Sequence, residues 1–252
     1  MKTFKDKLKQ SLNKKMFIPF MKQEITIDYD EKSYAPTSHT TILQINNFSL
    51  QKGDSLAAVI GTGSGLDAIA LAKKGIKKII ATDIDPYTLE IARHNAEINN
   101  VSSQIEFKLG DMLEPLEKYK KQGLFFDIIF SSPPIMPVPP EKAKNIPEYL
   151  NGGPEGTKFL ERTLQETCNY LKKDTGRLYI NFGSTSNPKK LFALLSKQYK
   201  WKELARISLP FSEQFLQIWS YFIELQKQGK AEFWEENGVP FRWYAQIEAR
   251  TK

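Results

Sequence analysis

The chain has 252 residues, 40% of them hydrophobic, enough for one domain with a full core and a terminal appendage. Its 36 basic and 29 acidic residues are interspersed, so the net charge of +7 admits an anionic partner without marking a polyanion-binding block. The single Cys168 excludes a disulfide framework, and no apolar run approaches the ~20 residues of a membrane span, so a soluble, cytoplasmic protein is expected.

Residues 1–33 read as a basic amphipathic arm. Lys2, Lys5, Lys7, Lys9, Lys14 and Lys15 surround Phe4, Leu8 and Leu12, and the four-residue spacing predicts a short helix within residues 1 to about 24. Its lysine face is expected to be solvated, to cover the site or to touch an acidic partner. Residues 34–252 form the main domain. Apolar runs at Leu56–Ile60, Lys78–Thr82, Ile105–Leu109 and Phe126–Ser131 predict strands, with helices over 65–74 and 86–99 between them. Pro86 after Asp85 suits a first helical turn. An apolar stripe from Phe159 to Leu171 predicts a helix, Gly176–Phe182 a strand, and Asn187-Pro188 a capped helix start. Phe215, Ile218, Trp219, Phe222 and Ile223 give an aromatic helical stripe within a helical insertion at 211–240, and Phe241–Ala249 alternates like a strand. The alternation predicts an α/β, doubly wound and mainly parallel sheet.

Two stretches carry chemistry. After the first strand run comes Gly61-Thr62-Gly63-Ser64-Gly65, and Leu66 stands where a dinucleotide fold needs its third glycine. So tight a loop suits a nucleoside with a short charged tail, of which S-adenosylmethionine is the common example. Glycines at 61, 63 and 65 let backbone approach the ligand, and the helix start favours its carboxylate. Asp83, ending the second run, can accept both ribose hydroxyls, and Asp111, after the third, can accept from the adenine amino group. Thr62, Ile84, Met112 and Ser131, next to these groups in sequence, complete the expected contacts of the cofactor in this part of the chain.

The second stretch is Ser131-Ser132-Pro133-Pro134-Ile135. Two successive prolines freeze the backbone and leave carbonyls without a regular partner. With the Ser132 side chain they can accept from an –NH2 group. An amide nitrogen attacks a sulfonium methyl poorly while its lone pair is delocalised. Acceptors that hold its N–H groups localise that pair and aim it. Ser132, Pro133 and Pro134 are therefore the candidate catalytic residues. No cluster has metal-ligand spacing, and no metal is expected.

Gly61–Gly65, Asp83, Asp111, Ser132-Pro133-Pro134 and Asn151-Gly152-Gly153-Pro154-Glu155-Gly156 resemble the HemK-type protein glutamine methyltransferases, class I enzymes that use S-adenosylmethionine and release S-adenosylhomocysteine. The resemblance runs from about residue 34 to 183 and implies a Rossmann-like fold with a sheet of seven strands. Within it, Tyr34–Thr40 is similar to the segment that closes the cofactor site. It implies a cofactor contact at Thr40 and substrate contacts at Tyr34, His39 and Ile135. Three positions depart from the pattern. Val59 stands where an acid helps hold the methionine ammonium, Ser132 replaces asparagine, and Ile135 replaces the aromatic that stacks on the target. The expected function is methyl transfer to an amide or amine nitrogen, on a protein in the HemK manner. A small-molecule N- or O-methyltransferase, a nucleic-acid amino-methyltransferase and a non-catalytic cofactor-binding module are the alternatives.

Overall fold

A computed structural model describes residues 11–30 and 43–252, so the expected contacts at Tyr34, His39 and Thr40 lie outside the described residues. The chain divides into two compact units, residues 1–130 and 131–252.

In the first unit β3 (Leu56–Ile60) is short and apolar on both faces, the composition of a strand covered on two sides. β4 (Lys78–Asp83) pairs parallel to β3, and β5 (Ile105–Leu109) parallel to β4. β6 (Ile128–Ser131) flanks β3 on the other side, and the order is β5-β4-β3-β6. Parallel neighbours need long crossovers, which helices supply. α1 (Leu66–Lys74) links β3 to β4, and α2 (Pro86–Ile98) lies between β4 and β5. α1 ends at Gly75, which takes the left-handed conformation that satisfies the last carbonyls, with Lys73 and Lys74 against the negative end of the dipole. α2 is capped by the Asp85 carboxylate, which accepts from the N–H groups of Tyr87 and Thr88. A five-residue helix, α3 (Glu117–Lys121), precedes β6.

The helix expected within residues 1–24 is corrected from Lys14 onward. β1 (Lys14–Phe20) and β2 (Gln23–Tyr29) form an antiparallel hairpin, with Lys14 opposite Tyr29. Ile18 and Phe20 are buried while Phe17 is 57% exposed, the two-residue period of a strand. Pro19 would also deprive a helix of a hydrogen bond. Ile25, Thr26 and Ile27 supply the branched side chains that suit the partner strand. The hairpin docks on α2. Asn99 accepts from the Thr26 N–H (3.1 Å) and donates to its carbonyl (2.7 Å), and His94 Nε2 meets Asp28 Oδ2 at 3.0 Å.

In the second unit β7 (Arg177–Gly183), buried throughout, pairs antiparallel with β10 (Val239–Thr251). β10 also pairs antiparallel with β8 (Tyr199–Pro210) and with the three-residue β9 (Trp234–Glu236). α4 (Lys158–Glu166) precedes β7. α5 (Pro188–Gln198) follows it, opened by Asn187, whose side chain accepts from the Lys190 N–H. Between β8 and β9 lie α6 (Glu213–Leu216) and α7 (Trp219–Lys227). Their aromatic stripe is core. Phe211, Phe215, Ile218 and Phe222 pack against Met136 and Val138, just beyond the Pro-Pro stretch. Among the described residues no helix is long and apolar enough to cross a membrane.

Candidate functional site

The glycine loop leaves the end of β3 and is tied to the end of β4. The Thr62 N–H donates to the Thr82 carbonyl (2.8 Å), and the Gly65 N–H closes a turn on the Thr62 carbonyl (2.9 Å). The Gly63 N–H donates to Asp83 Oδ2 at 2.9 Å. Gly65, at φ 88°, combines a left-handed backbone with a close approach, since a Cβ there would stand 3.2 Å from Ala92. Among the described residues, a Cβ at Gly61 or Gly63 would meet nothing within 4 Å. Asn95 braces the loop from α2. Its Nδ2 donates to the Ser64 carbonyl (2.9 Å), and its Oδ1 accepts from the Asp28 N–H (2.9 Å).

Asp83 is expected to grip a ribose. One of its oxygens is engaged by Gly63 and the other accepts from the Asp85 N–H at 3.1 Å. Burial pushes its carboxyl above the usual range, and these N–H donors pull the other way. Ile84 beside it is 63% exposed, an uncovered apolar surface at a strand end. The turn Gly110-Asp111-Met112 is fastened to β4 by the Gly110 N–H on the Asp83 carbonyl (2.9 Å) and Thr82 Oγ1 on the Met112 carbonyl (2.9 Å). Asp111 itself is half-buried. Gly61, Thr62, Gly63, Gly65, Asp83, Ile84, Asp111 and Met112 thus belong to one unit, around three successive strand ends.

Asp67, which sequence reasoning passed over, sits in the first turn of α1 directly after the loop. It is 7% exposed and takes a hydrogen bond from Gln44 Nε2 on Oδ2, while Oδ1 is buried without a hydrogen-bond partner among the described residues. Burial raises its pKa to about 7, only partly opposed by Gln44. Thr62 Oγ1 is likewise buried without a partner. Val59, at the position expected to be acidic, is buried among apolar neighbours. Room at two glycines, a carboxylate between strand ends and unsatisfied polar atoms in and beside the loop fit a ligand with a ribose and a charged tail.

In the second unit Ser131 is fully buried, and its hydroxyl meets Thr163 Oγ1 at 3.2 Å rather than standing open. Ser132, Pro133, Pro134 and Ile135 are half-buried. Asn181 Nδ2 on β7 donates to Ser132 Oγ at 3.2 Å, and Ser186 Oγ donates to the Ile135 carbonyl at 2.7 Å. Among the described residues the Pro133 carbonyl takes no hydrogen bond. The Asn151–Gly156 stretch explains itself as a brace. The Met136 N–H donates to the Leu150 carbonyl (3.2 Å), Gly152 N–H to Met136 (2.9 Å) and Val138 N–H to Gly153 (2.9 Å). A Cβ at Gly156 would stand 2.4 Å from the Ile135 carbonyl oxygen, and one at Gly152 2.9 Å from that of Pro134, so only glycine lets the two segments close. Glu155 anchors the brace through Lys230 (2.8 Å) and Asn187 Nδ2 (3.0 Å), which hold its carboxyl below the usual range.

Known proteins similar to this chain include methyltransferases. A family model described as ribosomal protein L11 methyltransferase matches residues 35–132. A protein of Methanocaldococcus jannaschii, named provisionally as a protein N5-glutamine methyltransferase, is 34% identical over 71% of this chain and 87% of its own length. A release factor glutamine methyltransferase of Synechocystis is 36% identical over 45% of this chain, which spans only 40% of that protein. Among solved structures, the ribosomal protein L11 methylase of Lactobacillus delbrueckii superposes with a TM-score of 0.53 at 18% identity, covering 88% of this chain and 84% of that one. A protein described provisionally as a methyltransferase and crystallised with S-adenosylhomocysteine gives 0.58 at 13% identity, covering 94% and 56%. The fold and the loop define a class I methyltransferase, an enzyme whose cofactor is S-adenosylmethionine. Within that class, the chain belongs to the protein N5-glutamine methyltransferase family.

Asn95, Asp67 and Asn181 were missed because each acts across a gap in sequence. Asp67 alone carried a signal, a lone acid inside the apolar run Leu66-Asp67-Ala68-Ile69-Ala70-Leu71.

Proposed function

We propose that this protein transfers a methyl group from S-adenosylmethionine to the side-chain amide nitrogen of glutamine in a protein, working in the cytoplasm. In this reading Gly61, Thr62, Gly63, Gly65, Asp83, Ile84, Asp111 and Met112 hold the cofactor, and Ser132 with the Pro133 carbonyl orients the amide. The cofactor supplies a methyl group on a positively charged sulfur and leaves as neutral S-adenosylhomocysteine. The Pro133 carbonyl accepts an amide N–H and turns the nitrogen lone pair out of conjugation. Pro133 and Pro134 keep that carbonyl from rotating away. With the cofactor bound, the aimed amide nitrogen would take the methyl group, and its displaced proton would pass to water, leaving a neutral, methylated amide. Catalysis is chiefly positioning, and no covalent enzyme intermediate is required.

The observation that carries this reading is the braced Ser132–Ile135 turn, whose Pro133 carbonyl takes no hydrogen bond among the described residues. The M. jannaschii relative, similar over 87% of its own length, supports the glutamine acceptor. A nucleic-acid acceptor gains less support, because the basic residues around Glu106 are partly neutralised by it. Lys108 and Lys118 contact that carboxylate at 2.5 and 3.7 Å. Incubation with methyl-labelled S-adenosylmethionine and three acceptor pools, glutamine-containing peptides, RNA and small amines, tests the proposal. Label on glutamine identified by fragment mass spectrometry is the expected result. Label confined to RNA or amines overturns it.

A further inference from the structure

Ser132 stands where the resembling glutamine methyltransferases carry asparagine, and the two side chains offer different chemistry. An asparagine amide presents an acceptor oxygen and an NH2 donor in one plane, whereas a serine hydroxyl carries a single hydrogen on a rotor. A primary amide needs both roles filled. Its N–H groups must meet acceptors so that the lone pair is aimed, and its carbonyl is best fixed by a donor.

In this protein the Ser132 rotor is restrained from below. Asn181 Nδ2 donates to Oγ at 3.2 Å. Asn181 is 2% exposed, lies between the fully buried Ile180 and Phe182, and pairs in register with Gln246 of β10. The donor is therefore held by the sheet while Ser132 is half-exposed. The bond occupies one lone pair of the hydroxyl and so restrains its rotation. A structural role for Asn181 leaves its other end unexplained, because Oδ1 is buried without a hydrogen-bond partner among the described residues. Buried orphans of this kind are rare and destabilising, and an apolar side chain of the same shape would avoid the cost.

We propose that Asn181 is a positioning residue for the methyl acceptor: its hydrogen bond fixes the Ser132 hydroxyl so that the pair supplies, from two residues, the donor-and-acceptor pattern that reads a primary amide. The inference rests on the glutamine reading and narrows it, since a simple amine has no carbonyl for the hydroxyl to address.

Two substitutions and one compensating change test it. Asn181→Leu keeps the shape and removes the orphan. It is expected to melt at the same or a higher temperature and to bind S-adenosylhomocysteine within about twofold of wild type. It should lower kcat on glutamine peptides by about 10- to 100-fold with little change in KM. Asn181→Ala is expected to lose kcat similarly, and adding Ser132→Asn, which returns an amide to the motif, should restore it to within about fivefold of wild type. Wild-type kcat in Asn181→Leu overturns the inference. So does a fall in kcat matched by falls in melting temperature and S-adenosylhomocysteine affinity, or a double variant no better than Asn181→Ala. Wild type inactive on glutamine peptides defeats the glutamine reading instead. The inference is then decided by saturation transfer from the S-adenosylhomocysteine-loaded protein to propionamide, which wild type must show and Asn181→Leu must lose.

Discussion

The glycine loop of the first unit and the proline turn of the second both leave the end of a strand, yet they are held in opposite ways. The glycine loop is shaped by its own backbone and by the strand next to it, with Gly63 reaching an Asp83 only 20 residues away. The proline turn gets its stiffness from ring closure and its place from distant segments. Asn181 is 49 residues from Ser132 and Ser186 is 51 from Ile135, and behind the brace Lys230 anchors Glu155. A cofactor shared by many enzymes can be bound by a local, transferable device. An acceptor particular to one enzyme is read by groups that long-range packing assembles.

Substitutions on the two sides should therefore separate cofactor binding from acceptor turnover. The largest effect is expected for Asp83→Ala, which removes the proposed ribose acceptor and frees the Gly63 N–H. Calorimetry with S-adenosylhomocysteine should show affinity falling by at least about 100-fold, roughly two charged hydrogen bonds. Affinity like that of wild type would break the assignment of the first unit as the cofactor side.

Gly156→Ala comes next. The added methyl meets the Ile135 carbonyl at 2.4 Å and the residue sits at φ 71°, so a loss of about 2–4 kcal/mol in urea unfolding is expected. Methyl transfer should fall while S-adenosylhomocysteine binding persists below the unfolding transition. Loss of both together would show that the two regions do not act separately.

Asp67 sharpens the comparison through pH. Its carboxyl binds a proton in the fold with a pKa of about 7, against 3.8 in the unfolded chain, so between those values the folded state holds more protons. Its stabilising contribution is complete below about pH 4 and is lost as pH rises through about 7, at no more than about 1.4 kcal/mol per pH unit. Asp67→Asn should flatten the fall in ligand-free stability between pH 5 and 8, followed by urea unfolding. An unchanged slope would mean that other groups carry it.

The smallest effect belongs to Glu155→Gln. This partly exposed anchor contributes about 1 kcal/mol or less, and its loss should raise the acceptor KM slightly with no change in cofactor affinity.

Much of the first unit was legible because its signals are short-range. β3, β4, β5, α1 and α2 fall where the apolar runs and the caps Gly65 and Asp85 predict them. The short helix expected within residues 1 to about 24 overlaps β1, because the lysine-rich start has a four-residue apolar spacing. The two-residue period after Lys14, and the docking on Asn95 and Asn99 that rewards it, were overlooked. The Pro-Pro turn could be located in the sequence, but its support could not. Neither Ser132 nor Asn181 carries a mark of the other.

By itself the sequence determined the class of cofactor site: glycines at 61, 63 and 65 and a carboxylate at 83 limit backbone conformation and hydrogen bonding to a few arrangements, whatever packs around them. Only the tertiary structure decided how a serine can occupy an asparagine's place. That depends on a buried amide on another strand meeting one hydroxyl at 3.2 Å, and such a contact is fixed by sheet register and core packing rather than by any local pattern of residues.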